Sequence, residues 1–357
     1  MIVGEIVLRD FRSYARQDLL LAEGLTLIVG PNGAGKTNLL DAVHFGTQGF
    51  SLRTRRDARV VRLGAVAARV AAKGSLASGL QFSTTVTVEP GDGKRIVLNG
   101  AALTSADDLR KEFPVLVFTP DRLAVVKGGP AVRRSYLDRM IGRVLPSRAA
   151  LPGGYGQALA QRNAALRRVK LGLSGRTAIG PWSETLSRLG NELEDARAQL
   201  VAALAPHFAA HADALGLPGA ALGYEAAHLS VADLERRLDQ DIARAATGVG
   251  PHLRDVAVTA GNRELRAYGS QGEQRLVVLA LLLGEAELLV QLRGEPALLL
   301  LDDVLSELDD RRRRALLRAL PSGCQTLVTA TALRSLPDDM GAPSLVVDVA
   351  PGRASPR

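Results

Sequence analysis

Cysteine is almost absent from this chain: Cys324 stands alone among 357 residues, so no disulfide can form within it. A small secreted scaffold stapled by disulfides is therefore excluded. Aromatic residues are scarce as well, at 4% with a single Trp, and base stacking, which needs exposed rings, has little to draw on. Long hydrophobic runs are missing. The longest, Leu276 to Leu283, gives way to Gly284 and Glu285, far short of the roughly 20 residues needed to cross a bilayer. The opening MIVGEIVLRDFR puts Glu5 and Arg9 where a signal peptide would need its apolar stretch. The expectation is a cytoplasmic protein with no membrane segment. Lysine is rare too, six residues against 39 Arg. A GC-rich genome gives that skew without functional cause, so arginine abundance alone carries little.

What is present is an ordinary globular composition with a basic surplus. Hydrophobic residues make up 46%, enough for one large or two mid-sized cores. The 45 basic and 37 acidic residues leave a formal charge of +8, which points to an anionic partner, nucleic acid or membrane surface.

The first 120 residues read as strands around one helix. Ile2 to Leu8, Leu25 to Val29 and Gln81 to Val88 have strand patterns, and the turn Pro90-Gly91-Asp92-Gly93 leads to Arg95 to Leu98, with Val115 to Phe118 beyond. From Pro130 to about Leu215 the pattern is helical, broken at Pro146, Pro152-Gly153-Gly154 and Gly180-Pro181, with Asn191 to Leu204 the clearest helix. Heptads do not persist, which excludes a long coiled coil. Strand character returns at Val256, followed by a helix from about Gly272 to Leu292 and the run Ala297 to Leu301. Ala350 to Arg357 reads as a frayed tail.

The chemistry begins at Gly30-Pro31-Asn32-Gly33-Ala34-Gly35-Lys36-Thr37, which fits the P-loop pattern at every fixed position. The strand Leu25 to Val29 precedes it and a helical stretch, Asn38 to Phe45, follows. Such glycines let backbone N–H groups turn inward as an anion nest at a helix N-terminus. Lys36 would reach the β- and γ-phosphates of ATP, and the Thr37 hydroxyl would hold Mg²⁺. A second site is Leu298-Leu299-Leu300-Leu301-Asp302-Asp303, a buried strand delivering two carboxylates at its end. Asp302 fits the metal-side carboxylate and Asp303 the group that orients or deprotonates the attacking water.

Ser270-Gln271-Gly272-Glu273-Gln274 resembles the signature motif of ABC-type ATPases, and Ser306-Glu307-Leu308-Asp309 resembles the loop that crosses their dimer interface. The four motifs stand in ABC order. The resemblance implies a composite site, with Ser270 and Gly272 of one protomer completing the γ-phosphate site of the other. Lys36-Thr37-Asn38-Leu39-Leu40-Asp41-Ala42 looks like the SMC-like chromosome and repair branch, and so does Leu8 to Tyr14, whose Arg12 and Ser13 become nucleotide-facing candidates. Thr119 to Leu123, Val126 to Pro130, Arg133 to Asp138 and Leu300 to Asp309 resemble the signature blocks of the RecF family. That likeness runs from Ile2 to about Thr331.

The RecF resemblance implies an α/β fold, a two-lobed SMC-like ATPase head without a long coiled coil. Residues 1–120 and 286–357 would form the ATP-binding lobe, and residues 121–285 a mainly helical lobe carrying the signature motif. It implies an ATP-dependent homodimer that clamps DNA at single- and double-strand junctions, with slow DNA-stimulated hydrolysis as a release timer. Implied partners are RecR and RecO, in helping RecA displace single-strand-binding protein during repair, replication restart and the response to DNA damage. The rival reading is a soluble ABC transporter ATPase subunit. The usual ABC Glu is here Asp303, the histidine contact would fall to Thr329 or Thr331, and only Gln48 and Asp121 offer themselves for the usual Gln. DNA candidates are Arg53, Arg55, Arg56, Arg59 and Arg62; Arg133, Arg134, Arg139 and Arg143; and Arg311 to Arg314.

Overall fold

The computed structural model describes residues 1–337, 339 and 341–357. The chain divides into two compact units. The first comprises Met1–Arg122, Ala214–Gly216 and Val278–Arg357; the second comprises Leu123–Asp213 and Leu217–Val277. The return to the first unit falls inside the helix Gln271–Arg293, earlier than the break at 286 expected from sequence. Composition gives no mark there, because Leu276 to Leu283 are all buried.

In chain order the strands are β1 (Ile2–Phe11), β2 (Tyr14–Leu20), β3 (Leu25–Val29), β4 (Ala68–Ser75), β5 (Gln81–Glu89), β6 (Gly93–Leu98), β7 (Ala101–Leu103) and β8 (Val115–Phe118). After them come β9 (Ala220–Tyr224), β10 (Val256–Ala260), β11 (Arg263–Glu264), β12 (Leu298–Leu301), β13 (Thr326–Ala330), β14 (Leu345–Ala350) and β15 (Arg353–Pro356).

Two six-stranded sheets build the first unit. One is antiparallel, ordered β2-β1-β4-β5-β6-β7. Its β5 alternates as a half-covered strand should, burying Phe82, Thr84, Val86 and Val88. The other, β15-β14-β3-β13-β12-β8, is parallel except at the β14–β15 hairpin. There β12 and β13 are buried at every residue, as covered parallel strands must be. The helix Lys36–Gln48 shares one core with both sheets: Leu39, Leu40, Val43 and Phe45 join Ile6, Leu8 and Val70 on one side and Ile28, Val117, Leu300 and Leu327 on the other. Burying each such side chain contributes roughly 1.5–3 kcal/mol, whereas propensity varies by at most about 0.7 kcal/mol per ordinary residue. Packing therefore fixes this helix, and with it Lys36 and Thr37.

Two sequence expectations are corrected here. Ala350 to Arg357 is not frayed, since β15 pairs with β14, Ala354 N–H donates to Gln17 Oε1 at 2.7 Å, and the Arg357 guanidinium binds the Asp348 carboxylate at 2.9 Å. Pro152-Gly153-Gly154 does not break the chain's helicity. The helix Leu151–Lys170 runs through it, because Pro in the first turn lacks only an N–H that would go unpaired there. Likewise Pro181 opens the helix Gly180–Ala214. The second unit also holds the helix Pro130–Val144 and the antiparallel sheet β11-β10-β9.

His44 gives the first unit a pH-dependent term. Its ring lies buried against the Phe50 ring at 90°, with Nδ1 2.9 Å from Phe50 O, and since a carbonyl only accepts, Nδ1 carries the proton. Burial pushes its pKa down to about 3, the Phe50 carbonyl opposing. Between pH 6.5 and 3 the unfolded chain therefore binds a proton that the folded chain refuses, and stability falls as pH falls through that window. His44→Gln can still donate to Phe50 O without this penalty. Urea unfolding at pH 7, 6 and 5 is expected to show the difference moving in the variant's favour, approaching about 1.4 kcal/mol per pH unit. A constant difference would refute the assignment.

Candidate nucleotide site

Parallel pairing brings three strand ends together. β13 is flanked by β3 and β12, so the chain leaves β3 into the glycine loop beside the acidic end of β12. Gly30 cannot be anything larger: a Cβ there would lie 2.3 Å from Val349 O. Gly35 caps the helix Lys36–Gln48 at φ 112°, and its added Cβ would crowd Ser13 Oγ and the Tyr14 hydroxyl. Between them Ala34 is buried and donates its N–H to Pro31 O at 3.2 Å.

The loop faces a cavity of about 330 Å³ lined by Asn32, Gly33, Gly35, Lys36, Thr37 and Asn38, with Asp302, Asp303, Arg53 and Thr329 opposite. Lys36, only 7% exposed, donates to Gly30 O at 2.7 Å and Pro31 O at 3.1 Å. The Thr37 hydroxyl is 3.0 Å from both Asp302 oxygens. Burial raises the Asp302 pKa above its ordinary value, opposed by the hydroxyls of Thr329 and Thr37. Asp303 sits at φ 51°, and its buried Oδ1 has no hydrogen-bond partner.

This donor set fits ATP with Mg²⁺. Lys36 is a buried ammonium held by carbonyls, so a phosphate would supply its missing anion. Thr37 and Asp302 offer the hydroxyl and carboxylate that Mg²⁺ takes beside phosphate oxygens. Asp303 Oδ1 is an acceptor with nothing to accept.

Other expectations change. Arg12 does not line the cavity: its guanidinium is 3.0 Å from Asp41 Oδ2 and 2.9 Å from Ser51 Oγ, and it donates to Arg59 O. Arg53, grouped by sequence with DNA candidates, does line it, 3.5 Å from Asn38 Oδ1. Thr329 is no free donor for a phosphate, because its proton goes to Asp302 Oδ1 at 2.8 Å. Thr331 is exposed outside the lining, as is Asp121, and Gln48 is buried, donating to Phe113 O.

Ser270 and Gly272 belong to the second unit. Ser270 Oγ accepts from Glu273 N–H at 3.2 Å and Glu273 Oε2 accepts from Ser270 N–H at 2.8 Å, a reciprocal cap that opens the helix Gln271–Arg293. Of the basic clusters, Arg55, Arg56 and Arg59 are exposed. Arg133 is turned inward, binding Asp255 and the Val126 and Gly128 carbonyls, while Arg134 donates to Arg254 O. Arg312, Arg313 and Arg314 pair with Asp309, Asp310 and Asp339.

A glycine loop ending in Lys-Thr, set against a double-Asp strand end in a parallel sheet, defines a P-loop ATPase head of the SMC-like kind. Residues 2–338 match the RecF/RecN/SMC N-terminal domain. The "DNA replication and repair protein RecF" of Acidothermus cellulolyticus is 38% identical over 349 residues, covering 92% of this chain and 94% of that one. Its namesake from Anaeromyxobacter dehalogenans is 39% identical over 371 residues, covering 98% and 97%. The solved recombination mediator RecF with ATP, from the RecFOR pathway, superposes at a TM-score of 0.86 with 27% identity, covering 99% of this chain and 97% of that one. An Smc head bound to the C-terminal winged-helix domain of ScpA superposes at 0.63 with 16% identity over 100% and 97%, a likeness of fold. This chain belongs to the RecF family of DNA replication and repair proteins.

Proposed function

We propose that the protein is an ATP-gated DNA clamp of recombinational repair and replication restart. The observation that carries this is one cavity uniting Lys36, Thr37, Asp302 and Asp303 in a RecF-family chain. ATP is the substrate: Lys36 and the loop N–H groups hold its phosphates, Thr37 and Asp302 hold Mg²⁺, and Arg53 adds positive charge. When bound, Mg²⁺ neutralises phosphate charge. The Asp303 carboxylate accepts a hydrogen bond from water and orients its oxygen toward the γ-phosphorus; the P–O bond to the ADP oxygen breaks as the water oxygen bonds, and the water gives up a proton, leaving ADP and inorganic phosphate. Asp is one methylene shorter than the Glu usual in ABC sites, so water is held less closely and turnover is slow. Hydrolysis then acts as a DNA-stimulated timer.

DNA is the anionic partner that the family supplies for the +8 charge, with Arg55, Arg56 and Arg59 as backbone-contacting candidates. RecR and RecO are the proposed protein partners, in the cytoplasm. The transporter reading is not favoured, since the relatives matched are DNA replication and repair proteins.

The dimer test follows from the Ser270 cap. Ser270→Asp keeps an acceptor at the cap but sets a carboxylate against the partner's γ-phosphate. Sedimentation with ATP and Mg²⁺ is expected to show a wild-type dimer, with association weakened at least about 100-fold in Ser270→Asp, because apposed like charges cost several kcal/mol. Ser270→Arg and Lys36→Met should also stay monomeric. A dimer surviving both Ser270 changes would overturn the composite site.

A further inference from the structure

Thr329 is fully buried at the end of β13, and its hydroxyl joins two adjacent aspartates. It accepts the Asp303 backbone N–H at 2.7 Å and donates its only proton to Asp302 Oδ1 at 2.8 Å. Register explains the meeting: Leu301 pairs with Val328, so the next residue on each strand, Asp302 and Thr329, are neighbours. The bridge has two consequences. It holds the Asp302 carboxylate, which also receives the Thr37 hydroxyl, in one orientation. It also secures the backbone of Asp303, whose φ of 51° lies in the left-handed region that strains a residue other than glycine. That turn leaves Asp303 Oδ1 without a partner in the cavity wall.

We infer that Thr329 is a positioning residue for hydrolysis, one hydroxyl that sets the metal-side carboxylate of Asp302 and the water-side carboxylate of Asp303 in fixed relation. This rests on the ATP and Mg²⁺ reading above. Although Thr329 lies in the cavity wall, its hydroxyl is spent on Asp303 N–H and Asp302 Oδ1, so it acts through the two aspartates. Outer partners of metal-holding groups typically change metal affinity by about 10- to 100-fold when removed, and a near-isosteric Val removes this one without opening a cavity.

The test measures binding of a fluorescent ATP analogue in EDTA and in saturating Mg²⁺, for wild type, Thr329→Val, Thr329→Ser and Lys36→Met. In EDTA, Thr329→Val is expected to bind as wild type does. With Mg²⁺ it should forfeit about 10- to 100-fold of the affinity that the metal adds, with kcat reduced, while Thr329→Ser, which keeps the hydroxyl, retains both. Equal weakening of Thr329→Val with and without Mg²⁺, or wild-type behaviour in both, overturns the inference. If circular dichroism shows Thr329→Val unfolded, Thr329→Ala is judged by the same criteria. Lys36→Met separates the two levels: if it binds nucleotide in EDTA as tightly as wild type, the site itself is misassigned.

Discussion

In Lys36→Met, ATP is expected to bind at least about 100-fold more weakly, and the stabilisation that ATP confers on the wild-type fold should vanish. Lys36 is buried with an ammonium held by two carbonyls at 2.7 and 3.1 Å. Carbonyl dipoles satisfy two of its three protons but leave a net charge in a shielded place, where an unpaired ion is costly. A triphosphate removes that cost and gains charge-assisted hydrogen bonds of about 1.5–3 kcal/mol each. Two such bonds exceed the roughly 2.7 kcal/mol that corresponds to 100-fold. With ATP at 100 times its dissociation constant, wild type should gain about 2.7 kcal/mol against unfolding. Thermal denaturation with and without ATP reads this directly. Met fills the volume of the lysine stem, so the fold without nucleotide should survive, and an ATP-dependent shift persisting in Lys36→Met would contradict the phosphate role.

The candidate site is legible in the sequence where its residues are consecutive and hidden where they meet only through the fold. Gly30 to Thr37 and Asp302-Asp303 announce themselves because backbone geometry confines the loop to particular residue types, and a Leu run ending in two carboxylates has few structural uses. Arg53 does not. It reaches the cavity because Asp41, buried on the helix Lys36–Gln48, takes Ser51 Oγ at 2.8 Å and Leu52 N–H at 2.7 Å, anchoring the chain just before it. The same carboxylate captures Arg12, which sequence placed at the nucleotide. One buried aspartate thus exchanges the positions expected of two arginines. β4 is hidden for another reason: its buried face is Ala68, Val70 and Ala72, too small to give a strand signal, and Gly74 is required because a Cβ there would lie 1.9 Å from Ile2 O. The C-terminal strand carries no sequence signal because pairing with β14 supplies order that composition does not encode.

The second unit should be most vulnerable at Arg162, and Asp241→Ala is expected to destabilise it by about 3–5 kcal/mol. Arg162 and Asp241 form an ion pair at 2.8 Å with side chains 0% and 1% exposed. The guanidinium also donates to Ser183 Oγ at 3.0 Å and Thr247 Oγ1 at 2.7 Å, tying the helix Leu151–Lys170 to the start of the helix Gly180–Ala214. One nitrogen, Nη2, is buried without a partner, so even the intact network is incompletely satisfied. Removing Asp241 leaves a cation that can neither reach water nor lose its proton, which makes the single substitution severe. Replacing both residues by apolar ones removes the charge and its desolvation together. Arg162→Met with Asp241→Leu should therefore recover most of the loss, to within about 1 kcal/mol of wild type. Urea unfolding of the two single variants and the double variant closes the cycle. Stability lost additively, with the double variant worse than either single, would mean that shape rather than charge compensation decides this core.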